Sequence, residues 1–193
     1  MITMLPIRTD QKIAIFGMTG TGKTTLAKEL AKKINRKVIV MPYDVAEQWQ
    51  DVKARKIVTD FYNFEYHLEP VYRKGNTMVI IDEADVFYPN HLKLEAESIR
   101  YKLIHLGRPR NMGVMFISRR PANLHVDARS QTSHFFFFRL ILPNDIEWCR
   151  TIVGDYAYKF KDLKDYWFYH YDGRDIYLHP PLNLKKPSNP LLA

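Results

Sequence analysis

Eight consecutive residues, Gly17-Met18-Thr19-Gly20-Thr21-Gly22-Lys23-Thr24, have the types and spacing to hold a row of phosphates. They satisfy the pattern G-x-x-x-x-G-K-[ST] without a mismatch. Glycines let successive backbone N–H groups turn inward, and a helix starting at the end of the run adds its positive pole. Lys23 then reaches the outer phosphates. Thr24 offers a hydroxyl to magnesium, while Gly17, Met18, Thr19, Gly20, Thr21, Gly22 and Thr25 form the rest of the cradle. The ligand implied is a nucleoside triphosphate, ATP, with Mg2+.

A second group, Asp82-Glu83, closes the apolar run Met78-Val79-Ile80-Ile81. A carboxylate at the carboxyl end of a strand lies where open α/β sheets gather their ligands, so Asp82 is suited to magnesium and its water shell. With strand alternation, Glu83 leaves on the opposite side, free to polarise an attacking water. The plainer reading is an acidic helix start, since Asp82, Glu83 and Asp85 all precede a helical stretch. Arginines follow: Arg108 and Arg110, then Arg119 and Arg120, then Arg129. Such side chains neutralise charge on a phosphoryl group in transfer, from the same chain or a neighbouring one, or serve as surface and nucleic-acid contacts.

These groups need elements to position them. Lys12 to Phe16 reads as a strand breaking into the glycine loop, and Leu26, Leu30 and Ile34 recur every four residues as one face of the next helix. Lys37 to Met41, a run around Ile57-Val58, Thr77 to Ile81, Gly113 to Ser118 and Phe135 to Leu142 read as further strands. A mixed segment containing Pro70 carries no clear pattern. Leu92, Ala96, Ile99, Leu103 and Leu106 predict a helix with one buried stripe, and Pro143 precedes another over Asn144 to Val153. Continuous apolar strands between helices imply a mainly parallel sheet flanked by helices. Tyr166 to Tyr171 and Arg174 to His179 flank Asp172-Gly173, which predicts a C-terminal β-hairpin. Its Trp167, Tyr169 and Tyr171 on one face and Phe168 and His170 on the other suit sheet packing better than base stacking. The segment from Pro180 carries four of the eleven prolines. Residues 1–182 are therefore expected to form one domain and 183–193 an extended Pro-rich tail.

The 193 residues carry 29 Lys and Arg against 21 Asp and Glu, a net +8 that suits a polyanionic partner. The longest apolar runs fall far short of the roughly 18 residues of a membrane span, and no signal-peptide core is present, which points to a cytoplasmic protein without membrane insertion. Cys149 is the single cysteine, so neither an intrachain disulfide nor a cysteine zinc cage can form, and an apolar helix face is its expected place. The histidines lack metal-ligand spacing, which leaves magnesium as the expected metal.

The order of these motifs resembles the FtsK/HerA superfamily of P-loop ATPases, especially its small members that package genomes into tailless, membrane-containing viruses. The likeness spans about Ile13 to Leu182. It rests on Gly17 to Thr24, Met78 to Asp85, Gly107-Arg108, and Ile117-Ser118-Arg119-Arg120-Pro121-Ala122-Asn123-Leu124 leading through Ala128-Arg129-Ser130-Gln131 to Phe135 to Leu140. It implies a RecA-like (ASCE) fold, ATP hydrolysis, a homo-oligomeric ring of six or five subunits, and sequence-independent translocation of double-stranded DNA. Capsid vertex or portal proteins would be further partners. The Gly-Arg pair implies Arg108 as the finger inserted into a neighbour's site, with Arg110 close enough to compete. Where the family has Thr-Gln-Arg-Pro, this chain has Ser118-Arg119-Arg120-Pro121, so Arg119 takes the place of the polar γ-phosphate sensor. About ten residues before the first strand leave no room for an accessory domain, which favours a packaging motor over a HerA-like translocase in DNA repair. A monomeric P-loop kinase, passing phosphate to a small acceptor, is the rival from another class.

Overall fold

A computed structural model describes residues 7–40, 46–54, 56–60 and 62–182. The proposed tail, 183–193, lies outside them, as does Met41 at the end of the second predicted strand. Eight strands form one sheet: β1 Lys12–Phe16, β2 Lys37–Val40, β3 Lys56–Val58, β4 Thr77–Ile81, β5 Met112–Ser118, β6 His134–Phe137, β7 Phe168–Tyr171 and β8 Ile176–His179. Their spatial order is β3-β2-β4-β5-β1-β6-β7-β8. The first six run parallel, and β7 and β8 close one side as an antiparallel hairpin. β1, β4 and β5 are buried at every position, as continuous apolar strands covered on both faces must be.

Helix α1, Lys23–Lys32, buries Leu26, Ala27, Leu30 and Ala31 on the face of the sheet that carries Ile13, Ile15, Met115 and Ile117. The other face carries Ala14, Phe16, Val79 and Phe116. It is covered by α2 Phe64–Lys74, α3 Ala84–Phe87, α4 Ile99–His105, α5 Val126–Ser130 and α6 Pro143–Val153. Cys149 is wholly buried there, and burial pushes its thiol well up from its ordinary value. Both faces of the hairpin pack: Tyr169 joins one core, and Phe168 the other.

One segment without a predicted element gains one, and two expectations need correction. The segment with Pro70 is helical, because Phe64, Leu68 and Tyr72 bury one stripe while Pro70 sits exposed, where water can take the carbonyl its ring leaves unbonded. The helix expected from Leu92 begins only at Ile99, capped by Ser98, whose side chain accepts the Tyr101 N–H at 3.2 Å. Ala96 and Leu106 are exposed, so the stripe is not continuous, and the chain before it is tied instead to the 123–124 segment through a Pro89–Leu124 bridge and the Asn90 N–H to Asn123 carbonyl bond. Strand β6 stops at Phe137 rather than running to Leu142, since the Arg139 carbonyl is taken by the Met18 N–H and the chain turns toward Pro143.

Candidate nucleotide site

Strand β5 lies between β1 and β4, in register with both. That order brings three carboxyl-end loops side by side: the glycine loop after β1, Asp82-Glu83 after β4, and Arg119 after β5. In the loop Gly17, Gly20 and Gly22 hold φ of 154°, 79° and 105°, conformations that other residues rarely adopt. At Gly17 a Cβ would also lie 2.5 Å from that of Phe138. The loop is braced from within. The Thr21 hydroxyl donates to the Met18 carbonyl at 2.8 Å, and the Lys23 ammonium donates to the same oxygen at 2.9 Å. Lys23 is buried, and burial lowers its pKa, against which Glu83 and then Asp82 act as nearby negative charges. Thr24 is half-buried and Thr25 exposed on α1.

Asp82 accepts the Trp49 indole N–H at 3.1 Å on one oxygen and the Glu83 N–H at 3.1 Å on the other. Burial raises its pKa, and the Trp49 bond works the other way. Strand alternation does not separate the two carboxylates, as the sequence suggested. β4 ends at Ile81, and Glu83 takes left-handed backbone angles, φ 52° and ψ 51°. Its carboxylate does not cap α3; it accepts the Arg119 Nε–H at 3.1 Å. Burial raises the Glu83 pKa and Arg119 opposes the rise. The residues fit a magnesium-bound triphosphate: a loop with three positive-φ glycines, a buried ammonium, a threonine beside it and a carboxylate at the end of β4.

The arginines separate cleanly. Arg119 pairs with Glu83 across the loops. Arg120 pairs with the buried Asp145 at 3.2 Å, and Arg129 lies over the Trp148 ring at 5.0 Å. Arg108 and Arg110 are not brought to the loops at all. They precede β5 in a short 3-10 helix, so the length of that seven-residue strand, about 20 Å, separates them from the glycine loop. Arg110 stacks over Tyr72 at 4.7 Å. Arg108 is exposed; its carbonyl accepts the Asn111 N–H at 2.9 Å, but among the described residues its side chain makes no hydrogen bond, ion pair or ring contact, and its charge is felt by Asp10 and Lys12.

Residues 13–139 match the ATPase family associated with various cellular activities (AAA). The chain belongs to that family. Among curated proteins none matches it. Among solved structures, B204, the DNA-packaging ATPase from Sulfolobus turreted icosahedral virus, superposes with a TM-score of 0.77 at 21% identity, covering 92% of this chain and 100% of that one. The genome packaging NTPase B204 from Sulfolobus turreted icosahedral virus 2, in complex with sulfate, gives 0.76 at 20% identity, with 91% and 98% covered. The pCW3 conjugation coupling protein TcpA, with ATPγS, gives 0.64 at 15% identity, covering 89% of this chain and 60% of that one. This AAA chain thus has the RecA-like fold of these packaging ATPase and coupling-protein structures, as its motif order implied.

Sequence reasoning missed several residues around the AAA site. Trp49 could have been suspected only from the need of a buried indole N–H for an acceptor. Asp145 anchors Arg120 and also accepts the Ala122 N–H at 3.2 Å, a long-range pairing with no local signature. Asp85 lines a cleft of about 390 Å³ at the Met18-Thr19 end of the loop, with Arg119 and Arg120, and its Oδ1 is buried without a hydrogen-bond partner among the described residues. No helix among the described residues is long and apolar enough to cross a membrane.

Proposed function

We propose that this chain is an ATP-hydrolysing motor that moves double-stranded DNA, as a viral genome-packaging ATPase does. One observation carries the reading: a phosphate loop and an acidic pair lie within each other's field at the carboxyl ends of β1 and β4, while an arginine without an ion pair stands at the amino end of β5, on the opposite side of the sheet's strand ends. The fold shared with B204, a DNA-packaging ATPase, supports it.

In the mechanism, backbone N–H groups of Gly17 to Thr24 and the Lys23 ammonium bind the phosphates, and Thr24 and Asp82 would hold magnesium. Bound magnesium supplies charge neutralisation on the phosphate oxygens. Glu83 takes a proton from the attacking water, whose oxygen bonds to the γ-phosphorus as the bond to the bridging oxygen breaks, releasing ADP and phosphate. Arg119 orients Glu83 and keeps it ionised. Arg108 serves the site of the next subunit, since a head-to-tail interface that closes on itself makes a ring and brings different surfaces of two copies together. Lysines and arginines contact DNA phosphates, so binding ignores sequence and weakens steeply with salt.

Phosphate release with and without duplex DNA, at two salt concentrations, tests the reading. Stimulation by DNA of any sequence that fades with added salt is expected. Turnover by a monomer that is indifferent to DNA and requires a small acceptor contradicts it.

The Arg119–Glu83 pair makes a pH prediction. Burial raises the Glu83 pKa, Arg119 holds it down, and a general base works only when ionised. In Arg119→Ala the Glu83 pKa rises further, so the acidic limb of the kcat–pH profile moves to higher pH and activity is lost first on the acid side. A profile whose acidic limb stays put removes Arg119 from this role.

A further inference from the structure

At the Gly22-Thr25 end of the glycine loop lies a second cleft, of about 230 Å³. Its walls include Phe138, Phe168, Leu182 and the ring of Tyr166. We propose that this cleft receives the base of the nucleotide, preferring purines for their larger stacking face while distinguishing adenine from guanine poorly. The inference rests on reading Gly17 to Thr24 as the phosphate cradle, and it adds where the rest of the nucleotide goes and what the site can tell apart.

Continuity is the first argument. Gly22 belongs to both the cradle and the cleft, so a ligand with its phosphates on the loop has the cleft at its other end. Tyr166 is the second. It holds φ 65°, a left-handed conformation that is costly for a bulky aromatic residue, and such residues persist where surrounding structure over-determines them, often at ligand clamps. That backbone sets the ring against the loop, where a Cβ on Gly22 would lie 3.2 Å from Tyr166 Cδ1. The residue is nonetheless 55% exposed, which leaves surface for a flat partner. The segment is pinned from its own side, since Arg139, whose carbonyl accepts the Met18 N–H, pairs with Asp165 at 3.3 Å. Phe138 and Phe168 pack with ring centroids 5.1 Å apart and form an apolar floor.

The chemistry of the walls sets the selectivity. Aromatic faces stack on any base, whereas telling adenine from guanine takes hydrogen bonds to the base edge. Among the described lining side chains only Thr25 and Tyr166 carry hydroxyls; the other described ones are aromatic or aliphatic and offer no edge-reading group. ATP and GTP should therefore bind alike, and CTP more weakly.

Equilibrium binding of ATP, GTP, CTP and inorganic tripolyphosphate, each with magnesium, to wild type, Tyr166→Ala and Tyr166→Trp tests this. Expected are ATP and GTP affinities within about tenfold of each other in wild type, and a loss of roughly tenfold or more for both in Tyr166→Ala. Tripolyphosphate should bind equally to all three proteins, and Tyr166→Trp should keep the nucleotide affinities. Unchanged ATP affinity in Tyr166→Ala, an equal loss for tripolyphosphate, or strong preference for one purine overturns the base cleft while leaving the phosphate site standing. Wild type that binds neither ATP nor tripolyphosphate overturns the phosphate site, and the cleft with it.

Discussion

Arg108→Ala is expected to leave MgATP bound and to lower kcat by about 10³–10⁵-fold, the range a trans-acting arginine supplies in phosphoryl transfer. The size of the effect follows from where the side chain stands. In its own chain Arg108 is separated from the glycine loop by the whole of β5, and its side chain touches no described residue by hydrogen bond, ion pair or ring contact. Its loss removes a charge near Asp10 and Lys12, far from the glycine loop, so a large effect on catalysis points to another copy. Arg110, two residues on, is engaged with Tyr72, so Arg110→Ala should change kcat by only a few-fold while loosening the contact with α2. Steady-state rates beside nucleotide affinity separate the two. Equal, small effects of both substitutions would remove the finger role from Arg108.

Glu83→Gln should keep nucleotide affinity and lower kcat by about 10²–10⁴-fold, the usual contribution of a positioned acid or base. The amide matches the carboxylate in shape, and its oxygen can still accept the Arg119 Nε–H, so the loop keeps its arrangement while the group loses its capacity to take a proton. Loss of one negative charge near Lys23 would, if anything, favour the bound triphosphate. A single-turnover measurement with preloaded nucleotide isolates the chemical step. Turnover at the wild-type rate would exclude Glu83 as the base.

Much of this was readable from residues in sequence because the signals are local. The glycine loop sits between an apolar run and a period-four helix, and strands β1 and β4 fall where the runs Lys12–Phe16 and Thr77–Ile81 predict them. What escaped depends on long-range contact. Helix α2 forms in spite of Pro70 because Phe64, Leu68 and Tyr72 have a core to enter, which no local propensity records. The segment before Ile99 has helical spacing but finds partners in the 123–124 backbone instead. The arginines were visible as a cluster. Their division among Glu83, Asp145, Tyr72 and Trp148, with Arg108 left over, required the fold.

Mixing the two inactive variants tests the shared site most directly. Arg108→Ala keeps an intact phosphate site, and Glu83→Gln keeps an intact arginine, so an interface with the first contributing the site and the second the arginine is complete. Random co-assembly at equal amounts should restore about a quarter of wild-type ATPase activity, as the head-to-tail interface requires. Activity that stays at the level of the separate variants would contradict a site built from two copies.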